Sequence, residues 1–178
     1  MNDTLKLKGV LDCFERKTPK DKLFTDVETK EQEIDYFTGN WKHLFSKENL
    51  IVNLGYNTIA NRITNQGAYN GTTFEYFAWG DGTTDPALTD TATTFYADCA
   101  NDDTKAVTSF DSFSTPSLKQ VWNCFVSSTE NTVTSITKFA LMNDDPGTVM
   151  FNEMEFAAIS KDATKEFYFR YNLTFSQV

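Results

Sequence analysis

A single histidine, His43, is the chain's whole supply of imidazole, and that scarcity bears directly on catalysis. A serine or cysteine nucleophile needs a base within reach, yet His43 lies between Lys42 and Leu44 and no G-x-S-x-G elbow occurs. His43 is therefore assigned a structural or surface role, and the chain is read as not an enzyme. Cysteine is scarce too: the three residues, Cys13, Cys99 and Cys124, are widely spaced and form no C-x-x-C pair. That disfavours a disulfide framework and a zinc site, so all three thiols are expected to stay reduced after folding in a reducing cytoplasm. No apolar run approaches the roughly 20 residues that span a bilayer, and the start of the chain lacks the charged-then-apolar pattern of a signal peptide. A soluble chain with no membrane partner is the expectation, and the N-x-T sequons at Asn2, Asn70 and Asn172 read as chance. Positive charge is in deficit as well. Lys+Arg number 16 against 25 Asp+Glu, giving a net charge of -9 and a pI near 4.6. Such a field repels phosphate and removes counterion release as a drive toward nucleic acid. Lys6, Lys8, Arg16, Lys17, Lys20 and Lys22 read as a solvated face rather than a basic patch.

What the chain has in quantity is aromatic side chain: 16 Phe, 7 Tyr and 3 Trp in 178 residues, enough for a dense core in a single domain spanning 1–178. Leu5, Leu7, Gly9, Leu11 and Cys13 alternate with polar residues and predict a strand, followed by a charged loop with a turn at Thr18-Pro19-Lys20 and a weaker strand near Ile34 to Thr38. From Ser46 to about Asn65 the period becomes helical: Val52, Gly55, Tyr56, Ile59, Ala60 and Ile63 form a stripe, Ser46 is the expected cap, and Gly55 should allow close approach to a sheet. The helix should stop near Asn65-Gln66-Gly67. Beyond it, across 72–178, Lys105 to Phe110, Leu118 to Ser127 and Val133 to Leu141 read as meander strands, separated by Ser114-Thr115-Pro116 and Ser127-Ser128-Thr129. Asn143-Asp144-Asp145-Pro146-Gly147 is a strong turn between two more strands. Phe167, Phe169, Tyr171, Leu173 and Phe175 alternate with polar residues as a half-buried last strand. The fold class is mainly β, an antiparallel β-sandwich with one packed α-helix.

Candidate chemistry is thin. Glu153 and Glu155 share a strand face, as the paired carboxylates of a glycosidase would, but read more simply as a solvent-facing strand edge. Asp81, Asp85, Asp90, Asp102, Asp103, Asp144 and Asp145 offer oxygen ligands without EF-hand spacing, and read as solvated loops. Gly80-Asp81-Gly82 does not complete a dinucleotide fingerprint. No cofactor and no metal are expected.

The most informative stretch is Phe74-Glu75-Tyr76-Phe77-Ala78-Trp79-Gly80-Asp81-Gly82-Thr83-Thr84-Asp85-Pro86-Ala87-Leu88-Thr89-Asp90-Thr91. It resembles a strand and G-x-G-T-T-x-P-A-x-T-D-T loop of small virion structural proteins of tailed bacteriophages. Glu48-Asn49-Leu50-Ile51-Val52-Asn53-Leu54-Gly55-Tyr56-Asn57-Thr58-Ile59-Ala60-Asn61 is similar to the same family's N-L-I-V-N-x-G-x-N-x-I-A helix, and the likeness runs through Gly147 to Met150, Ile159-Ser160-Lys161 and the aromatic last strand. Phe77-Ala78-Trp79-Gly80 departs from the small aliphatic residues usual before the loop. The resemblance implies a structural protein of the virion (capsid decoration, collar or tail accessory) with other virion proteins as partners, in a symmetric homo-oligomer or ring. The expected partner-binding residues are Trp79, Asp81, Thr83, Asp85, Leu88, Asp90, Phe95 and Tyr96. Phe95 and Tyr96 serve either as anchors for a neighbour or as pins that hold the loop to its own core. A receptor- or carbohydrate-binding module is the alternative, with Trp41, Trp79, Trp122 or Tyr69 as its sugar platform.

Overall fold

The protein's structure, a computed structural model, describes residues 5–17, 41–69, 71–113, 118–130 and 133–177. The strand expected near Ile34 to Thr38, the turns at Thr18-Pro19-Lys20 and Ser114-Thr115-Pro116, and residues Asn2, Lys20, Lys22 and Asn70 lie outside the described residues. In chain order the elements are β1 (Leu5–Lys17), β2 (Lys42–Glu48), β3 (Leu50–Ile51), α1 (Asn53–Thr64), β4 (Tyr76–Gly80), α2 (Ala92–Asp98), β5 (Asp102–Ala106), β6 (Ser109–Phe113), β7 (Leu118–Val126), β8 (Ser135–Met142), β9 (Met150–Ser160) and β10 (Lys165–Gln177). They build two five-stranded antiparallel sheets, ordered β2-β1-β10-β7-β6 and β3-β9-β8-β4-β5. Packed face to face, these are the expected β-sandwich.

Period-2 alternation builds the core. β1 and β10 pair with Leu11 opposite Tyr171 and Cys13 opposite Phe169, so Leu11, Cys13, Phe167, Phe169, Tyr171 and Leu173 share the inner face, each at most 3% exposed. The second sheet answers with rings of its own. Trp79 stacks on Phe169 at a centroid distance of 5.9 Å, and Phe77 meets Phe139 edge-on at 4.7 Å. Each ring of this kind stabilises the fold by about 1.5–3 kcal/mol through burial. β10 is the half-buried strand its alternation predicts, with Arg170 of the polar face exposed. As the central strand of its sheet it also buries two polar residues: Glu166 takes the Arg16 guanidinium at 2.6 Å and the Asn172 amide donates to Asp12 at 2.8 Å.

The strands from Lys105 to Leu141 do not form a meander. Consecutive amides point to different sheets, Val107 N–H to Glu75 O and Thr108 N–H to Asn123 O, both at 2.7 Å. The chain therefore crosses from β5 in one sheet to β6 in the other, and the single strand expected over Lys105 to Phe110 is two. A matching crossing occurs at the opposite edge, where Asn49 N–H bonds Gly9 O and Val52 N–H bonds Phe151 O, both at 3.2 Å. It also explains why the helix starts later than expected. Phe45 is paired with Cys13 and Ile51 with Asn152, so 42–48 and 50–51 are strands, and Ser46 donates its hydroxyl to Asp12 instead of capping a helix. Val52 occupies the cap position without a side-chain hydrogen bond. Gly55 does what was expected of it: a Cβ there would lie 2.2 Å from Phe151 O. Asn65, at φ 54, ends α1 in the left-handed region. The apolar stripe of α1 is only partly covered, since Tyr56 is 45% and Ile63 74% exposed. The 143–147 turn joins β8 to β9, with the Asn143 side chain accepting from Thr148 N–H and Val149 N–H at 2.9 and 2.7 Å. No helix among the described residues is long and apolar enough to cross a membrane.

Candidate functional site

The outward face of β4, β8 and β9 is covered by the segment that carries the G-x-G-T-T signature. Ala78 and Ala140 are small, and the glycines are smaller still. A Cβ at Gly80 would lie 2.4 Å from Cys99 Sγ, and one at Gly82 2.3 Å from Asp98 Oδ2. The cover can therefore sit close to the backbone. Residues 81–101 form a strap, not the open loop expected, and the second helix, α2, lies within it. Thr91 caps α2 by accepting from Thr94 N–H at 3.3 Å, while the Thr94 hydroxyl accepts from Thr91 N–H at 2.8 Å. Ala92, Phe95 and Cys99 of the strap pack with Val52, Ala78, Ala140, Met142 and Met150 in a small core outside the sheet.

The signature's polar residues hold the strap down. Asp81 accepts from Asn101 N–H at 2.9 Å and from its amide at 2.6 Å, and these bonds lower its pKa. Thr84 donates to Asp98 through N–H and hydroxyl at 3.1 and 2.6 Å. Asp90 accepts from Ala87 N–H at 2.5 Å, closing the turn after Pro86. Beyond that turn, Leu88 O accepts from Asn53 N–H at 2.8 Å, supplying the first turn of α1 with one of the acceptors a helix N-terminus lacks.

Beneath the strap lies a buried ion cluster. The Lys138 ammonium, its side chain 2% exposed, is 2.8 Å from Asp98 and 2.6 Å from Glu153. Burial pulls Lys138 down, and the two carboxylates more than reverse it, so its pKa is raised. Asp98 falls to about 2, chiefly through its bond to Lys138. Glu153 rises to about 7 because burial outweighs Lys138 and because Asp90 faces it with a second carboxyl. Glu153 Oε1 accepts from the Lys138 ammonium at 2.6 Å. Glu155 is raised in the same way, first by burial and then by Asp85. Asp85, Glu153 and Glu155 line a cleft of about 260 Å³ together with Lys47 and Glu48. β9 lies between β3 and β8, so the expected solvent-facing edge at Glu153 is corrected: the strap covers it. No group of three or more His, Cys, Asp or Glu side chains among the described residues is placed to hold a metal ion.

The expected partner-binding residues divide. Trp79 is 1% exposed and Phe95 0%, so neither ring reaches a neighbour; Phe95 pins the strap to its own core. Tyr96 is half-buried, its hydroxyl bonded to Thr104 at 3.2 Å and accepting from Gly147 N–H at 3.0 Å. Asp81 and Asp90 are half-buried and engaged within the strap, while Thr83, Asp85 and Leu88 are exposed. The sugar-platform rings do not assemble: Trp122 Nε1 donates to Phe74 O at 2.8 Å, and Trp41 packs against Phe125 and Tyr168 beneath the Arg16 guanidinium. His43 lies on β2, where it meets the Ser46 hydroxyl at 3.0 Å. Lys138 was missed in the sequence, although one lysine within the apolar run Phe139-Ala140-Leu141-Met142 and its flanks is a legible sign of a buried pair.

Compared with protein-family models, with curated proteins and with solved structures, the chain matches none.

Proposed function

We propose that the chain is a structural component of a tailed virus particle, a capsid decoration, collar or tail accessory protein that works through contacts between subunits. One observation carries the reading. The two motifs of the family resemblance, far apart in sequence, meet in space: Asn53 of the helix motif bonds Leu88 of the loop motif at 2.8 Å, and Val52 shares a small core with Phe95. A fused helix and strap make one continuous surface, on which Tyr56 is 45% and Leu88 50% exposed. Rigid exposed apolar and aromatic side chains set among polar ones are the composition of an interface centre and its rim. Thr83, Asp85 and Leu88 are the partner contacts under this proposal, and Phe95 supports them from below. Symmetric assembly would also cover sheet edges that otherwise invite aggregation.

The test is incorporation. Leu88→Arg places a charge at the centre of the proposed contact without touching the core, so the purified variant should keep the wild-type melting temperature and be lost from assembled particles. Normal incorporation of the Leu88→Arg chain would remove the strap from the docking surface.

A further inference from the structure

A cavity of about 500 Å³ opens between α1, the 71–75 connection and the inner face of β7 and β10. Close-packed interiors leave few voids larger than a water molecule, and this volume falls in the range of small-ligand sites, roughly 300–1,000 Å³. Its floor is carbon. Phe74 and Phe151 lie with ring centroids 5.0 Å apart, Leu173 is 3% exposed, and Trp122 has its only polar side-chain atom bonded to Phe74 O at 2.8 Å. Its rim leaves apolar surface in water: Ile63 of α1 is 74% exposed and Phe110 of β6 49%. Those are two of the four exposed large hydrophobic side chains among the described residues, and both lie at this mouth.

Among the described residues the rim carries one cation. Arg62 donates through Nη2 to Thr72 O at 3.1 Å, a bond that uses one of the five N–H groups of a guanidinium and holds its planar fork in place. Glu75, on the same rim, opposes an anion without a comparable anchor in its side chain. The net charge of -9 makes free anions unwelcome over the molecule as a whole, so an anionic head needs an apolar tail to bring it there.

We propose that this cavity binds an amphiphile with an alkyl tail and a single carboxylate head, the tail against Phe74, Trp122, Phe151 and Leu173 and the head on Arg62. This site is independent of the virion reading. Burial of the tail against carbon supplies the affinity, and the guanidinium fork selects the head by paired hydrogen bonds.

The experiment titrates laurate, below its micelle-forming concentration, into the wild-type protein and follows tryptophan fluorescence and melting temperature. Saturable one-to-one binding that raises the melting temperature is expected, with no response to acetate. Arg62→Gln should weaken laurate about tenfold, the loss of one charge-assisted contact, and Glu75→Gln should tighten it. Both residues are exposed, and circular dichroism verifies that each variant keeps the wild-type fold. The proposal is overturned if laurate fails to saturate, if dodecylammonium binds as tightly as laurate, if the two variants shift laurate in the reverse directions, or if the mouth is closed by self-association of the chain at the concentrations used.

Discussion

Replacing Glu153 by glutamine should make the protein less sensitive to alkali. Glu153 is 1% exposed and its carboxyl is raised from 4.5 to about 7, first by burial and then, against the opposing pull of Lys138, by the Asp90 carboxyl. A raised carboxyl binds its proton more tightly in the folded chain than in the unfolded one. Its ionisation therefore costs nothing below about pH 4.5, where both states are protonated. The cost grows as pH rises and is complete above about 7. At 1.36 kcal/mol per unit, that interval corresponds to about 3 kcal/mol, a large fraction of a domain's total stability. A glutamine side chain has the shape of the protonated acid and never ionises, and Lys138 keeps Asp98 as its partner. Urea unfolding of both proteins at steps from about pH 4.5 to 8 gives the assay. The difference in unfolding free energy should move in favour of Glu153→Gln by about 3 kcal/mol across the window. Parallel profiles would refute the reasoning, because they would mean that Glu153 ionises as easily in the folded chain as in the unfolded one.

Gly80→Ala should lower stability by about 1–3 kcal/mol, the usual cost of overpacking, because its Cβ would lie 2.4 Å from Cys99 Sγ; an unchanged melting temperature would mean that the strap is not seated on β4. Leu173→Asp should abolish folding at neutral pH by placing an unpaired carboxylate in the core. Asn172→Asp should be destabilising too, since it sets a carboxylate against Asp12 where an amide now donates at 2.8 Å; it should recover stability as pH falls and the new pair takes up a proton, which pH-dependent melting measures. Cys13, Cys99 and Cys124 are free and buried. Burial raises all three thiols, Cys99 to about 11 and Cys124 to about 12, so a colorimetric thiol reagent should react with none in the native protein and with all three after denaturation.

The sandwich was legible because β10, the central strand of its sheet, alternates apolar and polar residues along its length. The helix start was not, because Leu44, Phe45, Leu50 and Ile51 are apolar at positions that fit either a helical stripe or two short strands, and only pairing with β1 and β9 decides between them. α2 was hidden for a related reason. Its first turn is Ala92-Thr93-Thr94, in which both threonines are poor helix formers, and the partner in its capping box is Thr94 where Glu or Gln is the usual signal. Trp79 was expected among the partner contacts, and Phe95 was left as either an anchor for a neighbour or a pin to its own core, because strand alternation alone does not say which face is covered. Both are buried, Trp79 in the sandwich core and Phe95 in the small core that a strap over an outer sheet face needs. Glu153 went the same way: strand alternation puts it outside the sandwich, and only the tertiary cover makes that outside an interior.

The central proposal, that the fused helix and strap dock a neighbouring virion subunit, is tested most directly by an electron cryomicroscopy reconstruction of tailed-virus particles purified from the source of the chain. The account expects density for the sandwich at a symmetric position, with Leu88, Asp85 and Thr83 against an adjoining subunit. Particles that lack the chain, or a copy whose strap faces solvent on every side, would contradict it.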